Sequence, residues 1–352
     1  MVGWPDRRFL DLVGCEQPIV QAPMAGAGGV DLSAAAISGG ALGSLPCAML
    51  TPEQVRSQVA EVRSRAGGPL NLNFFCHTMP KQADDTDWRA LLQPYFEEYG
   101  VEPGNGSALR LPFDEQMCAV VEELRPDVVS FHFGLPEPAL LKRVKASGCV
   151  IIGNATTVEE AQWLYDRGVD AVIAQGFEAG GHTGRFLGSD PAEAVGLFAL
   201  LPQVVDAVSV PVIAAGGIAD GRGVAAAFIL GASAVQLGTA YLHAPETPIS
   251  DVHRGRLREG RTVFTNLLTG GLARGLRGRL IDDLGPVRRE VPPYPLASAA
   301  LAPIRAAAEF KGEYGFGPMW AGQAAPLGEP LPTADLTRKI AADALAILDR
   351  GA

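Results

Sequence analysis

The sequence predicts an α/β protein, a (β/α)8 or TIM barrel that carries a small lid. The chain has 352 residues, 47% hydrophobic and 19% charged, a globular composition with material for a large core. Short apolar, β-branched runs alternate with amphipathic helical segments, which is typical of a parallel sheet with helical crossovers. Eight such units lie within residues 1–244, and this is the usual size of a barrel. An open doubly wound sheet is the alternative.

Eight apolar runs are the predicted strands. They are residues 18–24, 40–45, 69–75, 127–133, 149–154, 170–176, 211–217 and 233–239. The helical segments between them include residues 51–65, 114–124, 157–168 and 220–231. Thr51 and Thr157 each stand two residues before an acid, so they are expected to begin helices.

Two intervals are too long for simple crossovers. Residues 76–112 follow the third strand and residues 245–296 follow the eighth. Both leave the carboxyl end of a strand, so both are expected over the mouth that holds the active site in such barrels. The predicted organisation is a barrel over 1–244, with 76–112 contributing to a lid, a lid or substrate domain over 245–296, and a C-terminal segment, 297–352, that packs back on the barrel. Residues 333–349 are predicted to form its amphipathic helix.

Charge and cysteine usage narrow the classes of function. A net charge of −10 argues against nucleic-acid binding, which needs a basic face. Five scattered cysteines without a CxxC pair indicate reduced thiols in a cytoplasmic protein and no zinc site. The N-terminus lacks the apolar core of a signal peptide. The uncharged run within 223–246 contains glycine and polar residues, so we expect a buried helix and strand there and no membrane partner.

Glycine-rich turns follow the seventh and eighth predicted strands, where barrels often bind phosphate. Gly216 and Gly217 let the main chain approach a ligand, and Gly238 and Thr239 offer N–H groups and a hydroxyl. These turns predict a phosphate-bearing cofactor, although glycine pairs also make ordinary tight turns.

Polar side chains interrupt several of the apolar strands. They are Gln21, Asn71, Asn73, His132, Gln175 and Gln236. Each alone could be a hydrogen-bonded core residue. Together, at one mouth, they suit the rim of a flat polar heterocycle such as a flavin, because amides donate and accept in one plane.

His182 lies in the glycine-rich stretch AQGFEAGGHTGRF, residues 174–186. Neither metal-ligand spacing nor a GxSxG elbow accompanies it. An exposed histidine of near-neutral pKa at a barrel mouth suits a general base or a partner for an anion.

Several motifs, in this order, resemble the nitronate monooxygenase family, formerly called 2-nitropropane dioxygenases. They are QAPMAG (21–26), LNLNFFCH (70–77), FHFG (131–134), AQGFEAGGHTG (174–184), AAGGI (214–218), QLGT (236–239), TGGLARGLRGR (269–279) and FGPMWAGQ (316–323). The likeness covers nearly the whole chain, and NLNFF with FCH and FHFG looks like the class I branch. One departure is TGGLARG, where the family pattern has Arg-Pro after the first glycine; we expect it to affect the lid and not the flavin site.

The resemblance implies an FMN enzyme that oxidises alkyl nitronates with O2 to a carbonyl compound and nitrite, by one-electron transfer to the flavin, with neutral nitroalkanes as further substrates. It implies that Pro23, Met24 and Ala25 lie against the flavin and that Asn71, or alternatively Asn73, and Gln175 hydrogen-bond to it. The other implied cofactor contacts are Gly180, Gly181, Gly216, Gly217, Gln236, Leu237, Gly238 and Thr239. His182 matches the catalytic histidine, and the implied substrate contacts are His132, Lys311, Tyr314 and Trp320.

Two other functions stay open from the sequence. One is a related FMN barrel that accepts hydride from NAD(P)H, an enoyl-acyl-carrier reductase or a quinone reductase. The other is a redox-inactive barrel that binds a sugar phosphate. The expected partners are small molecules, and the expected assembly is a monomer or homodimer.

Overall fold

The structure is a computed structural model, and it describes residues 3–81, 84–104, 110–188 and 193–351. Each of the eight predicted strands is present, most of them shorter than predicted. In chain order the strands are β1 (Ile19–Gln21), β2 (Gly43–Pro46), β3 (Leu70–Phe75), β4 (Val128–His132), β5 (Val150–Ala155), β6 (Ala171–Gln175), β7 (Gly181–His182), β8 (Val212–Ala215), β9 (Ala234–Leu237), β10 (Thr262–Thr265) and β11 (Ala273–Leu276).

Eight of these strands form one parallel sheet in the order β1-β9-β8-β6-β5-β4-β3-β2. A parallel bridge between Val20 and Leu42 joins the first strand to the segment that leads into β2, so the sheet closes on itself. Closure with parallel strands confirms the TIM barrel, and the open doubly wound alternative is wrong.

Helices connect the barrel strands, and further helices lie in the long segments after β3 and β9. They are α1 (Arg8–Val13), α2 (Val30–Ser38), α3 (Pro52–Arg65), α4 (Thr86–Tyr99), α5 (Glu115–Leu124), α6 (Pro138–Ala146), α7 (Val158–Asp166), α8 (Leu197–Ala207), α9 (Gly221–Ile229), α10 (Asp251–Arg256), α11 (Arg279–Leu284), α12 (Ala297–Phe310) and α13 (Thr333–Gly351). Thr51 and Thr157 cap α3 and α7, and Thr51 forms a reciprocal capping box with Gln54. The helix starts predicted at these two threonines are therefore confirmed.

A second apolar core lies outside the barrel. It joins α4, from the insertion after β3, to α12 and to Leu267, Ile281 and Phe316 further along the chain. The division of the chain at residues 244 and 296 stays a prediction. The packing groups α12 with this second core, while α13 packs on α9 and α2 of the barrel.

A three-stranded sheet in the order β10-β11-β7 connects the two cores. Its third strand is Gly181–His182, which the sequence predicted as loop. Gly181 pairs with Arg274 and His182 with Ala273, and the Thr183 N–H donates to the Leu272 carbonyl oxygen at 3.0 Å. The lid therefore supplies backbone partners to the histidine segment, which is a long-range pairing that local sequence does not encode.

The uncharged run within 223–246 divides as predicted into a helix, α9, and a strand, β9. Among the described residues, no helix has both the length and the apolarity to cross a bilayer. Of the five cysteines, four are buried and Cys76 is partly buried, and all are free thiols.

Removal of the α3 cap provides a test of the helix assignment. Thr51→Ala should lower the free energy of unfolding by about 1 kcal/mol, because the Gln54 N–H loses the threonine hydroxyl that accepts its hydrogen bond. Urea denaturation measures this change. Thr51→Ser keeps the hydroxyl and should lie close to the wild type; equal losses for both variants would contradict the capping box.

Candidate active site

A cavity of about 370 Å³ opens at the carboxyl ends of the barrel strands. Its walls come from the segments that follow β1, β3, β4, β6, β8 and β9, together with Trp320 and its neighbours from the C-terminal region. Pro23, Met24 and Ile173 provide apolar surface. The position and the mixed lining are those of a small-molecule site in a barrel.

Two glycine segments that border the cavity depend on the missing side chain. Gly216 and Gly217 have φ of 112° and 69°, in the left-handed region that favours glycine. At Gly180 a Cβ would lie 2.5 Å from the Gly322 nitrogen, so any larger residue would separate the histidine segment from the C-terminal region.

The amino terminus of α9 is already capped by a side chain of the protein, which refines the predicted phosphate site. The first free N–H groups of α9, those of Arg222 and Gly223, are capped by the Asp220 carboxylate. A phosphate at this mouth would therefore use the loop N–H groups at 216–217 and 238–239. The turn at Gly238 carries no side-chain cap.

Two amides in the cavity have free hydrogen-bonding capacity. Asn73 Nδ2 donates to Ser130 Oγ at 2.9 Å, and Gln236 makes no side-chain hydrogen bond within the described parts of the chain. The Asn73 oxygen and the Gln236 amide are not fully enclosed by the protein, so both are open to the cavity. The acidic side chain in the lining, Glu178, is turned to the Leu197 N–H at the start of α8.

Two of the six polar strand residues lie below the cavity floor. Gln21 accepts from the Ser44 N–H at 2.8 Å, and Asn71 Nδ2 donates to the hydroxyls of Ser44 and Ser130. Both are almost fully buried. Their hydrogen bonds link the four strands β1, β2, β3 and β4 in register. Asn73, two residues further along β3, reaches the cavity.

The backbone of the histidine segment is also held from the barrel side. Gln175 Nε2 donates to the His182 carbonyl oxygen at 3.0 Å. The Gln175 Oε1 accepts from Asn154 Nδ2 at 3.0 Å and from the Gly184 N–H at 2.8 Å. This one amide therefore fixes both sides of His182.

Aromatic rings surround the His182 imidazole. Its centroid lies 5.2 Å from that of Tyr294, 5.4 Å from Trp320 and 6.2 Å from Phe133, in edge-to-face geometry. Its Nε2 is 2.9 Å from the Thr269 Oγ1. The expectation of an exposed histidine was wrong, because the lid covers the ring on one side.

Burial determines the charge of the site histidines. It lowers the pKa of His182 well below the ordinary 6.5, and positive charge on Arg110 and the neighbouring histidines lowers it further. Burial also lowers the pKa of His132 to about 4, against a hydrogen bond to the His182 backbone that raises it. Both imidazoles are therefore neutral at pH 7, and the near-neutral pKa expected for His182 was wrong.

Phe133 is held in a strained backbone conformation at the centre of this cluster. Its φ is 66°, in the left-handed region that non-glycine residues rarely adopt. Such strain costs about 1–3 kcal/mol and concentrates at functional sites. The conformation places the ring between His132, His182 and Tyr294.

Most of the predicted site residues lie together. Those lining the cavity are Pro23, Met24, Ala25, His132, Gln175, Gly180, Gly181, His182, Gly216, Gly217, Gln236, Gly238, Thr239 and Trp320. Four others are not in the lining: Asn71 and Leu237 are buried beneath it, Lys311 is exposed over the Tyr99 ring, and Tyr314 packs beside Leu276 and Met319. The predicted roles of all these residues stay predictions.

Sequence reasoning missed several residues that build the site. Glu160 is fully buried, and its carboxylate accepts from the N–H groups of Thr156, Phe186 and Leu187, which anchors the chain after His182. Thr269 and Tyr294 reach the histidine from the lid. A buried acid on a helix carried no local signal, and the lid contacts required the β7–β11 pairing.

The sequence model of the nitronate monooxygenase family matches residues 7–343. The nitronate monooxygenase of Paraburkholderia phytofirmans is 42% identical over 345 residues, covering 95% of this chain and 94% of that protein. That of Pseudomonas aeruginosa is 40% identical, covering 95% and 97%.

The chain belongs to the nitronate monooxygenase family. It is therefore an enzyme of an oxidoreductase family, as the motifs predicted. Among solved structures, nitroalkane oxidase from Streptomyces ansochromogenes has a TM-score of 0.91 at 34% identity, covering 98% of this chain and 100% of that one. FabK from Thermotoga maritima has a TM-score of 0.73 at 27% identity, covering 99% and 98%.

The departure from the nitronate monooxygenase pattern at TGGLARG lies closer to the site than expected. We expected it to affect the lid alone, yet Thr269 bonds the His182 ring. A Cβ on Gly271 would lie 3.1 Å from Tyr294 Cδ2 and 3.3 Å from His182 Cδ2. This segment of the lid is therefore part of the histidine's surroundings.

Gly184 offers a test of the packing around the histidines. A Cβ there would overlap Asn154 Nδ2 and lie 2.7 Å from His132 Cε1. Gly184→Ala should lower the free energy of unfolding by about 1–3 kcal/mol, the usual cost of overpacking. Gly67→Ala is the control, because a Cβ there meets nothing within 4 Å. Urea denaturation of both variants measures the difference, and equal stabilities would contradict the packing.

The buried and half-buried histidines predict acid sensitivity of the fold. The folded-state pKa is lowered for all five histidines, so the unfolded chain binds more protons below pH 6.5. Stability is therefore fully present above pH 6.5 and is lost as the pH falls toward 4. Between pH 7.5 and 5.0, His132 alone should account for about 2 kcal/mol.

Urea denaturation at the two pH values measures this loss. His132→Gln should reduce the difference between the two pH values, because glutamine does not titrate. A free energy of unfolding that is equal at pH 7.5 and 5.0 would contradict the buried, neutral state of these histidines.

Proposed function

We propose that this protein is an FMN-dependent nitronate monooxygenase that oxidises alkyl nitronates with O2 to a carbonyl compound and nitrite. The observation that carries the proposal is that one cavity is lined by His182, by the open amides of Asn73 and Gln236, and by the glycine segments at 216–217 and 238–239. Monomer or homodimer assembly and a cytoplasmic location are part of the same proposal.

The donor set of the cavity fits a flavin mononucleotide. Pro23 and Met24 offer apolar surface to a ring, and the open amides of Asn73 and Gln236 can donate to and accept from the edge of a planar heterocycle. The main chain near Gly217 and Gly238 can approach a phosphate closely. The Glu178 carboxylate accepts from the Leu197 N–H at the start of α8, which offsets part of its negative charge.

Bound FMN would supply the electron acceptor and the centre that reacts with O2. The residues of this chain would bind and orient the organic substrate. His182 is neutral, so it can accept the α-proton of a nitroalkane, and the resulting cation would pair with the nitronate. His132, whose pKa is about 4, would stay neutral and orient the substrate without competing for this proton.

The shielding of His182 also supports this chemistry. Rings of Phe133, Tyr294 and Trp320 limit the contact of the imidazole with water, which strengthens its interaction with an anion formed beside it. A nitronate is an anion with delocalised charge, and it needs hydrogen-bond donors and a dry surface more than a fixed cation.

Flavin content and turnover test the proposal directly. The purified protein should show a flavin absorbance spectrum, either as isolated or after FMN is added, and should release nitrite from ethyl nitronate in air. Anaerobic nitronate should change that spectrum, whereas NADPH should not bleach it rapidly. Rapid bleaching by NADPH without nitronate turnover would favour the reductase alternative, and failure to bind FMN would favour the redox-inactive barrel.

His182→Asn distinguishes the two roles of the histidine. The kcat/KM for neutral nitroethane should fall about 10²–10⁴-fold, the usual contribution of a general base. The kcat/KM for ethyl nitronate should fall much less, because this substrate has already lost its proton. Nitrite release measures both, and similar losses with the two substrates would count against the base role.

A further inference from the structure

The two edges of the His182 ring face different surroundings. Nε2 lies 2.9 Å from Thr269 Oγ1, and the Cδ2 edge faces Gly271, so this side of the ring is turned to the lid. Nδ1 makes no hydrogen bond to any described residue. Nδ1 is not fully enclosed by the protein, and His182 lines the cavity. Nδ1 is therefore the nitrogen that is open to the cavity.

The Thr269 hydroxyl has one proton to donate and three neighbours. Besides His182 Nε2, its Oγ1 lies 3.4 Å from the Gly271 carbonyl oxygen and 3.4 Å from the Gly271 nitrogen. Thr269 is 2% exposed, so solvent does not supply a further partner. A hydroxyl that donates to the Gly271 carbonyl oxygen has both lone pairs left, one for the Gly271 N–H and one for an N–H at Nε2.

The opposite arrangement leaves a polar group without its protein partner. If the hydroxyl donated to Nε2, the Gly271 carbonyl oxygen would lose the donor that it has among the described residues. Gly271 is half-buried, so its carbonyl oxygen would then depend on water in place of the threonine hydroxyl. The arrangement with Nε2–H satisfies each group at this junction.

We propose that Thr269 is a positioning residue that holds His182 in the tautomer protonated on Nε2, so that Nδ1 is the nitrogen that meets the substrate. The Gly270–Gly271 pair allows this contact. Gly270 has a φ of 88°, and a side chain at either position would strike Pro292 and Pro293 or Tyr294. The glycines therefore place the threonine hydroxyl and the Gly271 carbonyl next to each other against the ring.

Nitrogen NMR of the protein labelled with 15N-histidine tests the assignment without turnover. The chain has only five histidines, and His182→Gln identifies the His182 signals by their loss. At pH 7.5 the His182 Nε2 should show the shift of a protonated nitrogen and Nδ1 that of an unprotonated one. A wild-type spectrum with the proton on Nδ1 would overturn the proposal, whether or not any Thr269 variant folds.

Thr269→Val and Thr269→Ser then test the cause. Valine should shift the two nitrogen signals toward a mixture of tautomers, and serine should restore the wild-type spectrum. Thr265→Val is the matched control, since Thr265 is another fully buried lid threonine whose hydroxyl bonds only the Leu267 N–H among the described residues. A wild-type tautomer in Thr269→Val would overturn the positioning role.

A kinetic comparison connects this inference to the proposed function, on which it rests. Thr269→Val should lower kcat/KM for nitroethane about 10–100-fold, a part of the general-base contribution, and lower that for ethyl nitronate much less. Thr269→Ser should recover most of the loss. If the NMR result holds and neither substrate is turned over by the wild type, the tautomer assignment stands and the proposed function fails.

Discussion

The site depends on the backbone of Gly181 and His182, which is hydrogen-bonded from two independent parts of the molecule. From the barrel, Gln175 donates to the His182 carbonyl oxygen. From the lid, β11 pairs with the same two residues. A glycine-rich segment alone would be costly to order, because glycine loses the most conformational freedom on folding. Two sets of partners offset that cost and determine where the imidazole lies.

The neighbours of this segment extend the same constraint. Glu160 anchors the N–H groups of Phe186 and Leu187 downstream, and Arg274 donates from the lid to the Phe177 carbonyl oxygen upstream. Arg274 is 3% exposed and lies against the rings of Phe177 and Phe264, so its charge is stabilised by carbonyl and aromatic partners. The histidine segment is thus fixed at both ends as well as along its edge.

The barrel could be predicted from the sequence, because each strand carries a local signal of apolar, β-branched residues bounded by turn residues. The same holds for the helix caps at Thr51 and Thr157. The glycine turns at 216–217 and 238–239 were predictable because their chemistry is local. Motif resemblance singled out His182 and Trp320, and both line the cavity.

Contacts across the chain were not predictable in this way. The choice between Asn71 and Asn73 depends on how the floor of the barrel packs, with Ser44 and Ser130 taking the first of them. The pKa of His182 depends on burial by the lid, and β7 exists only because β11 is beside it. Lys311 and Tyr314 match the family pattern in sequence, but Lys311 lies over the Tyr99 ring and Tyr314 packs against a separate apolar cluster that includes Leu276 and Met319, so neither lines the cavity.

The last helix closes the barrel at the seam between its first and last units. Helix α13 packs on both α2 and α9, and a Cβ at Gly39 or Gly221 would strike it. Strand β1 likewise pairs with β9, more than 200 residues away in sequence. During synthesis, β1 therefore has no β9 to pair with until more than 200 further residues have been made. One edge of β1 stays unpaired throughout that interval, and an unpaired strand edge can pair with other chains, so the nascent barrel is most open to misassembly before this seam closes.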